Sequence, residues 1–320
     1  IIFIHGLTGD RERTWTAKNA SLPWIKTLLP TEIPNVRILT FGYDAYVASW
    51  RGMVSKNRVG NHSMNLITAV AAYRENDNTS TRPIIFVCHS LGGLVCKDAL
   101  IASRQRPERH LQNIFRCTRD IAFLGTPHSG ADLAEWASKL AKSIGLLKQT
   151  NPQIIAVLET DSEVLARIQD NFHTMIRSRE LHGLPPIGIT CFYEELPLTG
   201  IGVVVPNHSA VIPGYTQIAI HKHHREMTKF ERNDDAGFVA IVGELRRWTK
   251  ELANLTCTSL STASVQAKGR DTDVQIWQEP GTWYKHSWLC LCRLNSRQYH
   301  HSSRARLAQA RCCSKHFTAT

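Results

Sequence analysis

The stretch IIFVCHSLGG, residues 84–93, places one serine between an apolar run and two glycines. The apolar run predicts a buried strand, and the residues after Ser90 predict a helix. A strand, a sharp turn that carries a serine and then a helix form a nucleophile elbow, G-x-S-x-G. Here Cys88 replaces the first glycine and is small enough for the turn, His89 precedes the serine, and Gly92 holds the last position. The alternative is that Ser90 only caps the helix.

Apolar runs of similar length recur along the chain and predict its fold class. They cover residues 1–4, 36–41, 83–88, 120–125, 188–193 and 216–220. Helix-like stretches separate them, and runs that are apolar on both faces are typical of a parallel sheet covered by helices. We therefore predict an α/β fold: a mostly parallel, doubly wound sheet of about six strands with helices on both faces.

The same pattern predicts the domain organisation. Residues 1–252 form one domain, which ends with the amphipathic helix 237–252. A helical insertion at about 126–186 carries apolar stripes that either pack on the sheet or form a cap that lines an acyl pocket. Residues 253–320 show no periodicity, are rich in arginine and cysteine, and predict an irregular tail with little stable structure.

The charge distribution argues against nucleic acid as a partner. The chain has a formal net charge of +11, but the segment 253–320 holds 9 Lys and Arg against 3 Asp and Glu, which leaves 29 against 24 before it. The first 252 residues are therefore only mildly basic. They contain neither an RNA-binding aromatic signature nor a basic recognition helix.

Cysteine and histidine spacing predicts neither a metal nor a cofactor. Cys88, Cys96, Cys117 and Cys191 lie in or beside apolar segments, as reduced thiols of a cytoplasmic protein do. The cysteines of the tail and the histidines around residues 221–224 match no zinc pattern. The four cysteines therefore indicate a cytoplasmic protein, with mitochondrial or endoplasmic reticulum association left open.

Acyl transfer by a serine needs two oxyanion donors. The turn places the backbone N–H of Leu91 at a helix N-terminus, where negative charge is stabilised. In this architecture the second donor comes from the loop after an earlier strand, and HGLTGD, residues 5–10, follows the first strand. The N–H of Leu7 is the candidate, and an ordinary glycine turn at Gly6 is the alternative.

The base and its acid should follow later strands in the chain order serine, acid, histidine. Glu194 follows the fifth apolar run, with Glu195 and Asp132 as rival acids. The sixth run is followed by His221, His223 and His224, and spacing does not choose among them. Three further histidines adjoin the same edge and are interpreted as structural or substrate-facing: His5, His89 and His128.

Six motifs together resemble one family. In chain order they are HGLTGD, FGYDA, VCHSLGGLVCKDAL, FLGTPHSGADLAEW, CFYEELP and HHREMTKF, spread over residues 1–252. The chain is similar to the serine-active-site, lipase-like α/β-hydrolases, close to the serine esterase domains at the front of many fungal NACHT receptor-like proteins. The resemblance implies that Ser90 is the nucleophile, Glu194 the acid and His224 the base, since Met227 and KF (229–230) follow at the family's spacing.

The resemblance also implies an activity. We expect a serine esterase or lipase of lipid metabolism that cleaves acyl esters, with a lipid ester as substrate, through a covalent acyl-enzyme and without a cofactor. Peripheral contact with a membrane and the oligomeric state are left open. The alternative is a hydrolase-fold sensor or effector module of a NACHT-type receptor with weak or no catalysis, because a fold does not fix a function.

Overall fold

A computed structural model describes the backbone of residues 1–6, 9–43, 56–128, 136, 139, 166–267 and 317–319. Side chains are described in the same ranges except at 56–58, 256–267 and 317–319. Leu7, Asp132, most of the predicted insertion and most of the predicted tail lie outside the described residues.

In the described part of the chain, seven strands form one sheet. They are β1 Ile2–Ile4, β2 Leu39–Phe41, β3 Ile84–His89, β4 Thr118–Leu124, β5 Gly188–Glu194, β6 Thr216–Ile220 and β7 Phe317–Ala319. The strand order is β6-β5-β4-β3-β1-β2-β7. All neighbours pair in parallel except β7, which is antiparallel to β2. The six predicted strands are confirmed, and β7 lies in a segment for which the sequence predicted irregular structure.

The helices of the described residues connect these strands. They are α1 Trp24–Thr27, α2 Leu29–Glu32, α3 Lys56–Asn76, α4 Leu91–Gln105, α5 Arg109–Cys117, α6 (166–177), α7 Asn207–Ala210 and α8 Ala236–Ala267. Helix α8 does not end at residue 252, as predicted, but continues to Ala267. Residues 253–255 are exposed, and an exposed stretch of helix needs no apolar periodicity. The division into a domain and a tail otherwise stays a prediction.

Side chains of the sheet alternate between two hydrophobic cores. On β1, Ile2 and Ile4 join one core and Phe3 joins the other, as the pleat of a strand requires. The first core contains residues of α3, α4, α5 and α6, and the second contains residues of α1, α2 and α8. Helices therefore cover both faces of the sheet, as predicted.

The apolar stripe of α6 belongs to the first core. Its Ile168, Phe172, Met175 and Ile176 are buried there. For these four residues the structure agrees with packing on the sheet rather than with a pocket-lining cap.

The carboxyl ends of the parallel strands meet at one edge of the sheet, where α/β proteins bind ligands. The residues that follow β1, β3, β4, β5 and β6 converge there. A parallel sheet with helices on both faces and a serine on the turn from β3 into α4 is the α/β-hydrolase fold that the sequence predicted.

Candidate active site

Ser90 stands on a strained turn at the end of β3. Its φ of 52° lies in the left-handed region that residues other than glycine rarely adopt. The turn is held by two backbone bonds: Ser90 N–H donates to the Leu124 carbonyl at 2.9 Å, and Gly93 N–H donates to the Ser90 carbonyl at 3.0 Å. Ser90 occupies the N-cap position of α4, but its side chain makes no capping hydrogen bond. The hydroxyl is therefore available for another partner.

Small residues stand two positions before and two positions after the serine, at Cys88 and Gly92. A Cβ atom added to Gly92 would lie 2.5 Å from the carbonyl oxygen of His5 and 2.7 Å from that of Ile4. Only glycine fits this approach of α4 to β1. Cys88 is fully buried on β3, and burial raises the pKa of its thiol well above its usual value. It therefore packs as a small neutral residue beneath the turn.

His224 links Ser90 to Glu194. Its Nε2 lies 3.0 Å from Ser90 Oγ, and its Nδ1 lies 2.6 Å from Glu194 Oε2. All three residues are buried. Since a carboxylate only accepts hydrogen bonds, the proton between them is on Nδ1, which leaves Nε2 as an acceptor for the serine hydroxyl. The structure thus brings together the three residues that the resemblance selected.

The second oxygen of Glu194 is also bound. Oε1 accepts hydrogen bonds from the backbone N–H groups of Val204 and Val205, the latter at 3.0 Å. A buried carboxylate needs such partners because burial without them is costly. Sequence reasoning missed both valines, since a backbone donor leaves no signal in the residue type.

The rival acids and bases lie elsewhere or outside the described residues. Glu195 Oε2 lies 3.1 Å from His221 Nδ1, and this pair is exposed to solvent. His224 alone of the three candidate histidines has a hydrogen bond to Ser90 in the described part of the chain. Asp132 lies outside it.

Two further histidines hold the backbone of the site. His89 Nε2 donates to the carbonyl of His224 at 3.1 Å, and His5 Nδ1 donates to the carbonyl of Gly6 at 2.8 Å. His5 Nε2 accepts from the N–H of Tyr43 at 3.3 Å. Burial lowers the pKa of His5 to about 4 and that of His89 well below its usual value, so both are neutral near pH 7. Their contacts fit the structural interpretation.

Of the two proposed oxyanion donors, Leu91 lies in the described part of the chain. Leu91 is the first residue of α4, where backbone N–H groups have no partner within the helix. Leu7 lies outside the described residues. Its neighbour Gly6 packs on the serine, because a Cβ added to Gly6 would lie 2.9 Å from Ser90 Cβ. The loop after β1 therefore passes beside Ser90, and the donor role of Leu7 stays a prediction.

The described residues contain neither a candidate metal site nor a candidate membrane span. No group of three or more His, Cys, Asp or Glu side chains there is placed to hold a metal ion. None of the helices described is both long and apolar enough for a membrane span.

Comparison with known proteins gives relatives at moderate identity. No protein-family model matches the chain. It is similar to Protein SERAC1 of Danio rerio, with 28% identity over 263 residues, or 73% of this chain and 36% of that protein. The Homo sapiens protein of the same name is 28% identical over 257 residues, again 73% of this chain and 36% of the relative. The chain thus spans about a third of the length of these relatives. They are animal proteins, and the link to fungal NACHT receptor-like proteins stays a prediction.

Solved structures give weaker likenesses. The mature lipase BlEst2 of Bacillus licheniformis superposes with a TM-score of 0.45 at 16% identity, over 75% of this chain and 90% of that one. An α/β hydrolase from the metagenome of Mar Chica lagoon sediments gives 0.37 at 18%, over 79% and 91%. At such scores the fold assignment depends on the strand order and the turn at Ser90.

Proposed function

We propose that this protein is a serine hydrolase that cleaves acyl esters through a covalent acyl-enzyme. The observation that carries the proposal is the buried hydrogen-bonded chain from Ser90 through His224 to Glu194. Its serine stands on a strained strand-to-helix turn. A structural serine needs neither the positive φ nor a histidine that is itself oriented by a carboxylate. Both features are what activation of a hydroxyl requires.

In the first half of the reaction Ser90 becomes acylated. His224 Nε2 takes the hydroxyl proton while Ser90 Oγ attacks the ester carbonyl, and the carbonyl electron pair moves onto oxygen. The N–H groups of Leu91 and Leu7 stabilise this oxyanion. When the carbon–oxygen bond to the alcohol breaks, His224 returns the proton to the leaving alcohol.

In the second half water releases the acyl group. His224 Nε2 takes a proton from water, the resulting hydroxide attacks the acyl carbon, and Ser90 leaves as the alcohol with the proton from His224. Glu194 holds the ring orientation of His224 and stabilises the imidazolium. Its four hydrogen-bonding sites are partly filled by His224, Val204 and Val205, so the carboxylate has little freedom to rotate.

We propose a lipid ester as the substrate. The support is the resemblance to lipase-like enzymes. Rates of hydrolysis for a series of p-nitrophenyl esters from butyrate to palmitate measure the preferred acyl length.

The test compares wild type with Ser90→Ala and with Ser21→Ala, a control at an exposed serine. Wild type and the control should hydrolyse at least one ester of the series, and Ser90→Ala should lose at least about 10³-fold in kcat. Equal hydrolysis by Ser90→Ala would refute the proposal. A folded wild type that cleaves no ester would favour the interaction module instead.

A further inference from the structure

Lys97 is a buried cation that the proposed reaction does not use. It lies on α4, and its side chain is completely buried in the first core. Nζ lies 5.2 Å from the centroid of the Phe123 ring and 5.6 Å from that of Phe172. Its hydrogen-bond partners in the described part of the chain are neutral groups: His128 Nδ1 at 2.6 Å and the Gln169 side-chain carbonyl.

Stability does not explain a lysine at this position. A buried charge without a counter-ion lowers stability, and apolar residues of similar volume often replace buried charges without loss. Burial lowers the pKa of Lys97 to about 7, which is a measure of the same cost. Methionine has nearly the same length and would suit the aromatic surroundings. The hydrogen bonds of Lys97 are the feature that methionine could not supply.

One chain of contacts leads from Lys97 to the acid. His128, which Lys97 binds, donates its backbone N–H to the carbonyl of Ser209 at 2.6 Å. The N–H of Ser209 in turn donates to the carbonyl of Pro206 at 2.9 Å. Pro206 directly follows Val204 and Val205, whose N–H groups hold Glu194.

A second set of contacts leads to the base and the nucleophile. His128 belongs to loop 125–128, the described residues that directly follow β4. In this loop Thr126 Oγ1 donates to the carbonyl of Ser90 at 3.2 Å. A Cβ added to Gly125 would lie 2.9 Å from His224 Nδ1. The loop that Lys97 anchors therefore touches both Ser90 and His224.

We propose that Lys97 is a positioning residue, which acts through His128 to hold loop 125–128 and segment 204–210 where they orient Glu194 and His224. The proposal rests on the proposed function, since it concerns the same three groups. Lys97 does not touch the reacting atoms. Its effect should therefore appear in kcat rather than in substrate binding.

The test uses Lys97→Met, with Lys250→Met at an exposed position as the matched control. Lys97→Met should lower kcat at least ten-fold, leave KM within about three-fold of wild type, and keep or raise Tm. Lys250→Met should behave as wild type. An unchanged kcat, or a loss that accompanies a fall in Tm, would overturn the proposal, because the second result describes a structural residue.

A second variant tests the route through His128. His128→Phe keeps a ring and removes both ring nitrogens, and it should lower kcat as Lys97→Met does. The double variant should be no slower than the slower single variant, because both changes break one link. Losses that multiply would contradict the route. If Lys97→Met does not fold, the kcat and Tm of His128→Phe decide by the same criteria. Failure of the proposed function itself would show in wild type, before any variant is made.

Discussion

Two pairs of an acid and a histidine lie side by side at the same edge of the sheet. Glu194 binds His224 at 2.6 Å with both side chains 1% exposed. Glu195 binds His221 at 3.1 Å with the acid side chain 43% and the histidine 78% exposed. The hydrogen bond of the first pair is the shorter one, and only this pair is joined to Ser90.

An acid beside a histidine is therefore not enough to identify a candidate catalytic pair. What distinguishes the first pair is that it is buried and that its histidine also binds Ser90. An exposed pair in water contributes little and its geometry is loosely held. The buried pair has fixed neighbours on every side: Val204 and Val205 on the acid, His89 on the backbone of the base. Glu194 is the last residue of β5, and Glu195 is the first residue beyond it. Successive residues of a strand point to opposite faces, so adjacent acids have different surroundings.

Single substitutions of the two histidines should give the largest difference in kcat. His224→Gln removes the proposed base and should lower kcat for ester hydrolysis by at least about 10³-fold. His221→Gln should stay within about two-fold of wild type, because His221 has no contact with Ser90. Steady-state kinetics on one ester measures both. Comparable losses of kcat in the two variants would contradict the distinction between the buried and the exposed pair.

Single substitutions of the two acids should give a smaller difference in kcat. Glu194→Gln keeps the shape of the side chain but can no longer enforce the Nδ1–H form of His224, which should lower kcat by about 10²–10⁴-fold. Glu195→Gln should leave kcat within about two-fold. The same kinetic assay applies, with circular dichroism to confirm that each variant is folded. A Glu194→Gln variant with the kcat of wild type would mean that another acid orients His224.

The smallest expected effect is on the free energy of unfolding. It compares a buried lysine, Lys97, with an exposed one, Lys250. Because the pKa of Lys97 is lowered to about 7 in the folded protein, the unfolded chain binds more protons between pH 7 and the ordinary lysine range near 10.5. The free energy of unfolding should therefore gain a contribution from Lys97 that rises by about 3 kcal/mol between pH 7 and pH 9.5. Urea titrations at pH 7 and pH 9.5 measure it. Lys97→Met should remove this rise and Lys250→Met should keep it; the same slope in both would contradict the assignment.

Local signals in the sequence predicted the elbow and the strands. The run IIFVC, the serine and Gly92 are neighbours in the chain, so their pattern is readable there. Spacing could not choose between Glu194 and Glu195 or among three histidines, because that choice depends on the direction of the pleat and the path of a loop. The resemblance selected Glu194 and His224, and the structure brings both together with Ser90.

Contacts between distant segments were not predictable. Lys97 and His128 are 31 positions apart and meet only when α4 packs beside the loop after β4. The residue types gave no sign that the backbone N–H of Val204 would bind Glu194. The end of α8 was placed too early because exposed helical residues carry no apolar pattern.

The central claim is that His224 activates Ser90, and a fluorophosphonate probe with intact-mass detection tests it most directly. Wild type should gain the mass of one adduct, and Ser90→Ala and His224→Ala should gain none in the same time. No adduct on a folded wild type, or an adduct that persists in Ser90→Ala, would contradict the claim.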